Sequence, residues 1–140
     1  MPIEIPTPEA INTFVAREFP AAYTVGTRCI EVGANFVVAR WTYDATTLRP
    51  GGFISGPIQF ALADTALWFL TFTVLGLAPM AVTSEINIHF LRPAVGGDLV
   101  ARAEMLRAGR HKITGEVKLW IDGAPEKPVS HVVGSYMQIG

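Results

Sequence analysis

Asp64 lies in a predicted apolar helix, where burial of a carboxylate is unfavourable in free energy. It is the only ionisable side chain between Arg49 and Glu85, and it falls about two turns into a predicted helix that is otherwise apolar. A lone buried carboxylate must be paired or neutralised. The residues one turn away offer no partner, being Phe60, Ala61, Leu67 and Trp68. This setting favours a carboxylate held in a cleft as a general base or nucleophile; the alternative is an acid that reaches solvent or a subunit interface.

The triplet Ser55-Gly56-Pro57 begins the same helix. Ser55 is a typical cap residue and Pro57 suits the first turn. Free backbone N–H groups at a helix start, together with the helix dipole, can stabilise an oxyanion on a substrate carbonyl. Pro57 has no N–H, so Gly56 is the candidate donor. Taken alone, the triplet indicates only where a helix starts.

The elements that would position these residues follow from caps, breakers and hydrophobic periodicity. A short helix is expected from the Thr7 cap to about Glu18, and one long helix from Gly56 to Leu75. Strands are expected at 23–32, 36–44, 85–90, 99–105, 112–121 and 128–138. Short loops between consecutive strands imply antiparallel pairing. The simplest arrangement is one domain, residues 1–140, with a six-stranded sheet around the long helix.

Composition narrows the function classes. Half of the 140 residues are apolar and the net charge is −1, so no basic field favours nucleic acid or an anionic membrane. The apolar surplus suggests a partner subunit. The uncharged run from Thr65 to Thr83 has no flanking basic cluster, which favours a buried helix over a membrane span. Cys29 is the single cysteine, and the first residues lack the pattern of a signal peptide, so we expect a cytoplasmic protein without a metal site.

Two segments, GGFISGPIQFALADTALW and VTSEINIHFLRPAVGGD, resemble the PaaI-like hotdog thioesterases. Members of that family typically open the central helix with His-Gly-Gly, continue with Leu-Ala-Asp or similar, and later have a strand ending in Leu-Arg-Pro. The later Gly109-Arg110 followed by an alternating strand also fits. The resemblance therefore spans most of the chain. It implies an α+β hotdog fold: an antiparallel six-stranded sheet wrapped around one long central helix, plus a short N-terminal helix.

The resemblance also implies roles for individual residues. Asp64 would be the catalytic carboxylate, which activates water or attacks the thioester, and the Gly56 N–H of the facing subunit would form the oxyanion hole. Thr83 falls where relatives often place a hydroxyl that orients the attacking water, with Ser84 as a close competitor. The protein would need no cofactor, since coenzyme A arrives as part of the substrate. It would assemble as a homodimer or a dimer of dimers.

Three positions depart from the family pattern. Ser55 replaces the histidine of the triplet, Pro57 replaces its second glycine, and Arg49 stands where an asparagine or glutamine is common. Ser55 could cap the helix or hydrogen-bond a substrate carbonyl more weakly than histidine. We count Ser55 with the catalytic candidates. Arg49 and Ser84 join the substrate-binding candidates.

Cations suited to the phosphates of coenzyme A follow the predicted strands. They are Arg92, Arg107, Arg110, His111 and Lys112. Arg92, Arg110 and His111 are the preferred candidates, with Arg110 first because Gly109 lets the backbone turn and present it.

The leading hypothesis is hydrolysis of an acyl-CoA thioester to a carboxylic acid and coenzyme A. A hotdog hydratase would need an Asp/His pair, and no histidine follows Asp64 until His89. A hotdog protein that binds acyl-CoA or lipid without turnover is the alternative, and a purely structural oligomer comes third.

Overall fold

The computed structural model describes residues 3–78 and 80–139. It contains three α-helices and six strands within these residues. The helices are α1 (Pro8–Glu18), α2 (Pro20–Thr24) and α3 (Gly56–Leu75), and a 3-10 helix covers Ala45–Thr47. The strands are β1 (Thr27–Val32), β2 (Phe36–Trp41), β3 (Ala81–Phe90), β4 (Leu99–Ala108), β5 (Lys112–Ile121) and β6 (Ser130–Gln138).

All six strands form one antiparallel sheet in the order β1-β2-β4-β5-β6-β3. Helix α3 packs against every strand. This is the six-stranded sheet around a central helix that the hotdog fold requires, so the predicted fold class is confirmed. Strands β1 and β3 form the two edges of the sheet, and one side of the ten-residue strand β3 pairs with no other strand of residues 3–78 and 80–139.

Helix α3 has the bounds that the sequence predicted. The Ser55 hydroxyl accepts a hydrogen bond from the Ile58 N–H at 3.3 Å, and the helix ends at Gly76, whose φ of 76° lies in the left-handed region. By length and composition α3 could cross a membrane. Eleven of its 20 residues are buried inside the fold, so packing against the sheet already accounts for most of its apolar surface.

The N-terminal prediction needs one correction. Helix α1 has the expected Thr7 cap and bounds, but Tyr23 and Thr24 lie in the short helix α2, and β1 begins only at Thr27. Pro20 presets the first turn of α2. Gly26, with φ 93°, then turns the chain into the strand.

Two other strand ends were predicted too long. Strand β2 ends at Trp41 rather than at Asp44, because the Asp44 carboxylate caps the 3-10 helix by accepting from the Thr46 N–H at 3.0 Å. Strand β6 begins at Ser130 rather than at Pro128, since a proline has no N–H for the sheet.

A glycine pair lets α3 approach the sheet closely. Gly115 of β5 and Gly134 of β6 are paired neighbours. A Cβ on Gly115 would lie 2.8 Å from side-chain atoms of Leu67 and Leu70, and a Cβ on Gly134 would lie 2.7 Å from Leu67. A larger residue at either position would displace the Leu67 side chain, and Leu67 belongs to α3, the helix that carries Asp64.

Candidate active site

Asp64 is held by two hydroxyl groups from neighbouring strands. Its Oδ1 accepts hydrogen bonds from the Thr83 hydroxyl at 2.7 Å and from the Tyr136 hydroxyl at 2.6 Å. The Tyr136 hydroxyl also lies 3.1 Å from the Asp64 carbonyl oxygen. Thr83 and Tyr136 are opposite each other across the β3–β6 ladder. Both donors therefore converge on one oxygen, and Oδ2 has no hydrogen-bond partner in the described part of the chain.

Tyr136 is suited to remain a donor. It is 7% exposed, and its pKa is raised well above the usual value, first by burial, then by the negative charge of Asp64 and by the hydrogen bond to it. The phenol therefore stays protonated through the physiological range, and its proton stays directed at the carboxylate.

A cavity of about 320 Å³ opens beside this carboxylate. Asp64, Thr83 and Tyr136 form its polar side. Its other lining residues are Phe19, Thr65, Trp68, Ala81 and Val82. The Phe19 and Trp68 rings meet edge to face with centroids 6.0 Å apart. The carboxylate thus borders a largely apolar space with room for a small organic group.

A second cavity, of about 340 Å³, lies at the beginning of α3. It contains Gly56 and both Arg49 and Arg92; the remaining lining residues are Phe53, Ile54, Gln59, Phe90, Leu91, Pro93 and Ala94. A Cβ on Gly56 would come within 3.2 Å of the Phe90 ring. Glycine at this position keeps the backbone at the helix start open to the cavity.

Gly56 and Asp64 do not share a cavity within one chain. Asp64 lies eight positions after Gly56 in the helix, which is about 12 Å along the axis. The predicted carboxylate and the predicted oxyanion donor therefore lie in two different cavities of the same protomer. Both groups could act on one carbonyl only if each came from a different copy of the chain.

The remaining predicted site residues lie in three places. Ser55 caps α3 through its hydroxyl. Ser84 sits where the β3–β6 register shifts between Thr83 and Glu85, and Thr83, not Ser84, bonds Asp64. Arg110 and His111 are exposed in the turn between β4 and β5, which the Gly109 N–H closes on the Lys112 carbonyl at 2.8 Å; neither residue lines the two cavities.

Sequence reasoning missed Tyr136 and Gln59. For Tyr136 the available signal was a single phenol in the predicted strand 128–138, and no local pattern connected it to Asp64. For Gln59 it was an amide within an apolar helix. Within residues 3–78 and 80–139, no cluster of three His, Cys, Asp or Glu residues could hold a metal ion.

Comparisons with known proteins agree with this architecture. The model of the thioesterase superfamily matches residues 51–126, more than half of the chain. A solved structure from Silicibacter sp. TM1040, described as a "putative thioesterase", is 26% identical, with a TM-score of 0.86 and coverage of 100% of this chain and 97% of that one. The PaaI protein of Escherichia coli is 26% identical, with a TM-score of 0.77 and coverage of 90% and 88%.

Sequence comparison also finds a curated relative. A Pasteurella multocida protein named a "putative esterase" is 29% identical over 87 residues, which are 62% of this chain and 63% of that protein. The chain thus matches somewhat less than two thirds of this relative's length. The match to the family model includes both the start of α3 and Asp64, and the chain belongs to the thioesterase superfamily, with a PaaI-like hotdog fold.

Proposed function

We propose that this protein is an acyl-CoA thioesterase, which hydrolyses an acyl-CoA thioester to a carboxylic acid and coenzyme A. One observation carries the proposal: the Asp64 carboxylate borders a cavity with one oxygen held by two hydroxyl donors and the other oxygen unbonded. A carboxylate fixed in this way is oriented for base or nucleophile chemistry without an ordering step during the reaction. Membership of the thioesterase superfamily supports the same reaction class.

In the general-base route, Oδ2 of Asp64 takes a proton from water as the water oxygen bonds to the thioester carbonyl carbon. The carbonyl oxygen becomes an oxyanion, which the Gly56 N–H stabilises. Collapse of this intermediate breaks the carbon–sulfur bond, and the thiolate leaves and takes up the proton. In the nucleophilic route, Oδ2 attacks the carbonyl carbon directly, the thiolate leaves, and water then hydrolyses the mixed anhydride. In both routes Thr83 and Tyr136 hold Oδ1.

The separation of the two cavities supports a site shared between two subunits. Asp64 of one protomer would face the start of α3 in its partner, since the two groups lie in separate cavities of a single chain. The unpaired edge of β3 is a natural pairing surface, and its Val82 and Phe90 side chains are exposed. We therefore propose a homodimer, alone or paired into a dimer of dimers.

Several cations would bind the coenzyme A part of the substrate. Arg49 and Arg92 line the second cavity together with Gly56, and neither forms an ion pair with another described residue. Arg110 and His111 offer a second positive site in the β4–β5 turn. Coenzyme A would enter as part of the substrate, no resident cofactor would be needed, and the cytoplasm would supply the acyl-CoA.

The proposal is tested by assaying purified protein on a panel of acyl-CoAs while a thiol reagent reports released coenzyme A. We expect hydrolysis that falls at least about a hundredfold in Asp64→Asn. Asp44→Asn is the matched control, because Asp44 caps a surface 3-10 helix and asparagine caps equally well. Tight acyl-CoA binding without turnover by the wild-type protein would instead identify a non-catalytic binding protein. Ser55 in place of the family's histidine would be consistent with that alternative.

A further inference from the structure

The cavity at the start of α3 contains a polar group that the proposed reaction does not use. Gln59 is one turn into α3, is 4% exposed, and belongs to the lining of this cavity. Its side-chain nitrogen donates to the Ile54 carbonyl at 3.2 Å. Its Oε1 is buried and accepts from no donor in the described part of the chain. A buried amide oxygen without a donor is destabilising, so a ligand group that donates a hydrogen bond to it would be stabilised.

The orientation of the Gln59 side-chain amide determines which ligand group can form a hydrogen bond with it. Exchanging the nitrogen and oxygen of Gln59 would place its oxygen against the Ile54 carbonyl oxygen, and two acceptors repel each other. The amide nitrogen is therefore the atom that faces Ile54, and Oε1 is the atom left over. An oxygen acceptor requires an O–H or N–H group, so Oε1 would reject a phosphate or carboxylate.

The distance from Gly56 identifies the part of the ligand that would meet Gln59. Gln59 lies three residues after Gly56, about 4.5 Å further along the helix axis. A thioester carbonyl held at the Gly56 N–H would therefore bring atoms a few bonds away from that carbonyl next to Gln59. Phe53 and Phe90 also line this cavity and are 42% and 54% exposed.

Given the proposed thioesterase function, on which this inference rests, we propose that Gln59 is a specificity-determining residue. Its Oε1 accepts a hydrogen bond from an O–H or N–H donor of the bound thioester, close to the reacting carbonyl. Two groups carry this chemistry: a hydroxyl on the acyl chain, and the first amide N–H of the pantetheine arm, two carbons from the sulfur. A buried acceptor of this kind discriminates strongly against a ligand that lacks the donor.

Two matched substrate pairs separate these sources. The first pair is 3-hydroxybutyryl-CoA and butyryl-CoA. The second is the butyryl thioester of N-acetylcysteamine and its analogue with CH₂ in place of the N–H. We expect wild-type kcat/KM to favour the donor-bearing member of one pair by about tenfold or more. Gln59→Met, which keeps the volume and removes the acceptor, is expected to bring that ratio to about one.

Ser130→Ala is the matched control. The Ser130 hydroxyl is the other buried polar group without a partner in the described residues, it is 0% exposed, and it lines neither cavity. Its removal is expected to leave both ratios unchanged. If Gln59→Met does not fold, Gln59→Leu replaces it, and the melting temperature of each variant shows whether the protein is intact.

The inference is overturned if both ratios in folded Gln59→Met equal those of the wild type, or if the wild type has no preference in either pair. The same substrate pairs are also prepared as non-hydrolysable thioethers, and their affinities are measured by calorimetry. These affinities test the role of Gln59 even if the protein hydrolyses no thioester. A wild type that hydrolyses no thioester contradicts the proposed function. The thioether affinities still show whether Gln59 selects a donor, since an unchanged affinity ratio in Gln59→Met counts against it.

Discussion

Which oxygen of Asp64 remains available is decided by two side chains distant in sequence. Thr83 and Tyr136 both donate to Oδ1, and hydrogen bonds to a charged acceptor are stronger than those between neutral groups. Two such bonds fix the rotation of the carboxylate, so Oδ2 points where no described side chain competes for it.

Removal of the Tyr136 hydroxyl tests this arrangement. Tyr136→Phe is expected to lower kcat by about ten- to a hundredfold with a smaller change in KM, since a hydrogen bond to a charged group contributes roughly 1.5–3 kcal/mol. Steady-state kinetics on the best acyl-CoA measure both constants. Tyr43→Phe is the control, because Tyr43 is an exposed phenol outside both cavities. An unchanged kcat in Tyr136→Phe would contradict the positioning role.

The buried thiol of Cys29 is expected to make the protein less stable at alkaline pH. Burial raises the pKa of its thiol from 9.0 to about 12, so the unfolded chain loses this proton at a lower pH than the folded chain. The stabilisation is complete below pH 9 and declines as the pH rises toward 12, at roughly 1.4 kcal/mol per pH unit at most. Urea unfolding at pH 8 and pH 10 should show a decline that is about 1 kcal/mol smaller in Cys29→Ala; equal declines would contradict it.

Among the elements, the position of α3 on the sheet depends on two glycines. Gly115 and Gly134 face each other across β5 and β6 beneath Leu67. Leu67 lies one turn after Asp64, so we expect the close packing at the glycine pair to affect the position of the carboxylate relative to Thr83 and Tyr136. A change in the packing of α3 on the sheet is therefore expected to change the geometry of the candidate site as well.

A methyl group at Gly134 should disturb both stability and activity. In Gly134→Ala the new Cβ would lie 2.7 Å from Leu67 and 2.9 Å from the Glu85 carbonyl oxygen, and overpacking of this kind typically costs about 1–3 kcal/mol. Urea unfolding measures the loss. Gly97→Ala is the control, since its Cβ would meet only the Ile121 methyl at 3.3 Å. Equal stability of the two variants would show that the helix moves aside without cost.

At the scale of the whole molecule, one protomer has two cavities that are proposed to be half-sites. The carboxylate cavity and the cavity at the start of α3 are separate, and no other described strand pairs with the outer edge of β3. Pairing two protomers is proposed to bring unlike halves together, which would give two complete sites per dimer. Catalysis would then depend on association, and a stable active monomer in sedimentation would refute this mechanism.

Mixed dimers provide the direct test. Asp64→Asn and Gly56→Val are each expected to be inactive, the second because its side chain would meet the Phe90 ring near the helix start. After co-refolding of equal amounts, half of the dimers are mixed and each contains one intact site, so about 25% of wild-type activity should return. The separately refolded variants are the control. No recovery of activity, with mixed dimers verified by mass, would place the whole site within one chain.

Local signals predicted the regular elements well and their ends less well. Ser55, Pro57 and Gly76 mark the limits of α3 by cap and turn chemistry that acts within a few residues, and the predicted bounds were correct. Tyr23 was wrongly placed in a strand because its β propensity was weighed without the helix-starting effect of Pro20. Asp64 stood out because a charge in an apolar helix is visible without coordinates.

Sequence by itself determined the α+β class, the long central helix and the candidate carboxylate, because each depends on periodicity or on the cost of burying charge. Only the tertiary structure decided that Tyr136, 72 residues from Asp64, donates to the same oxygen as Thr83. It also decided that β3 lies at the edge beside β6, and that Gly56 and Asp64 occupy different cavities. These are long-range relations set by strand pairing and register, which local residue patterns do not encode.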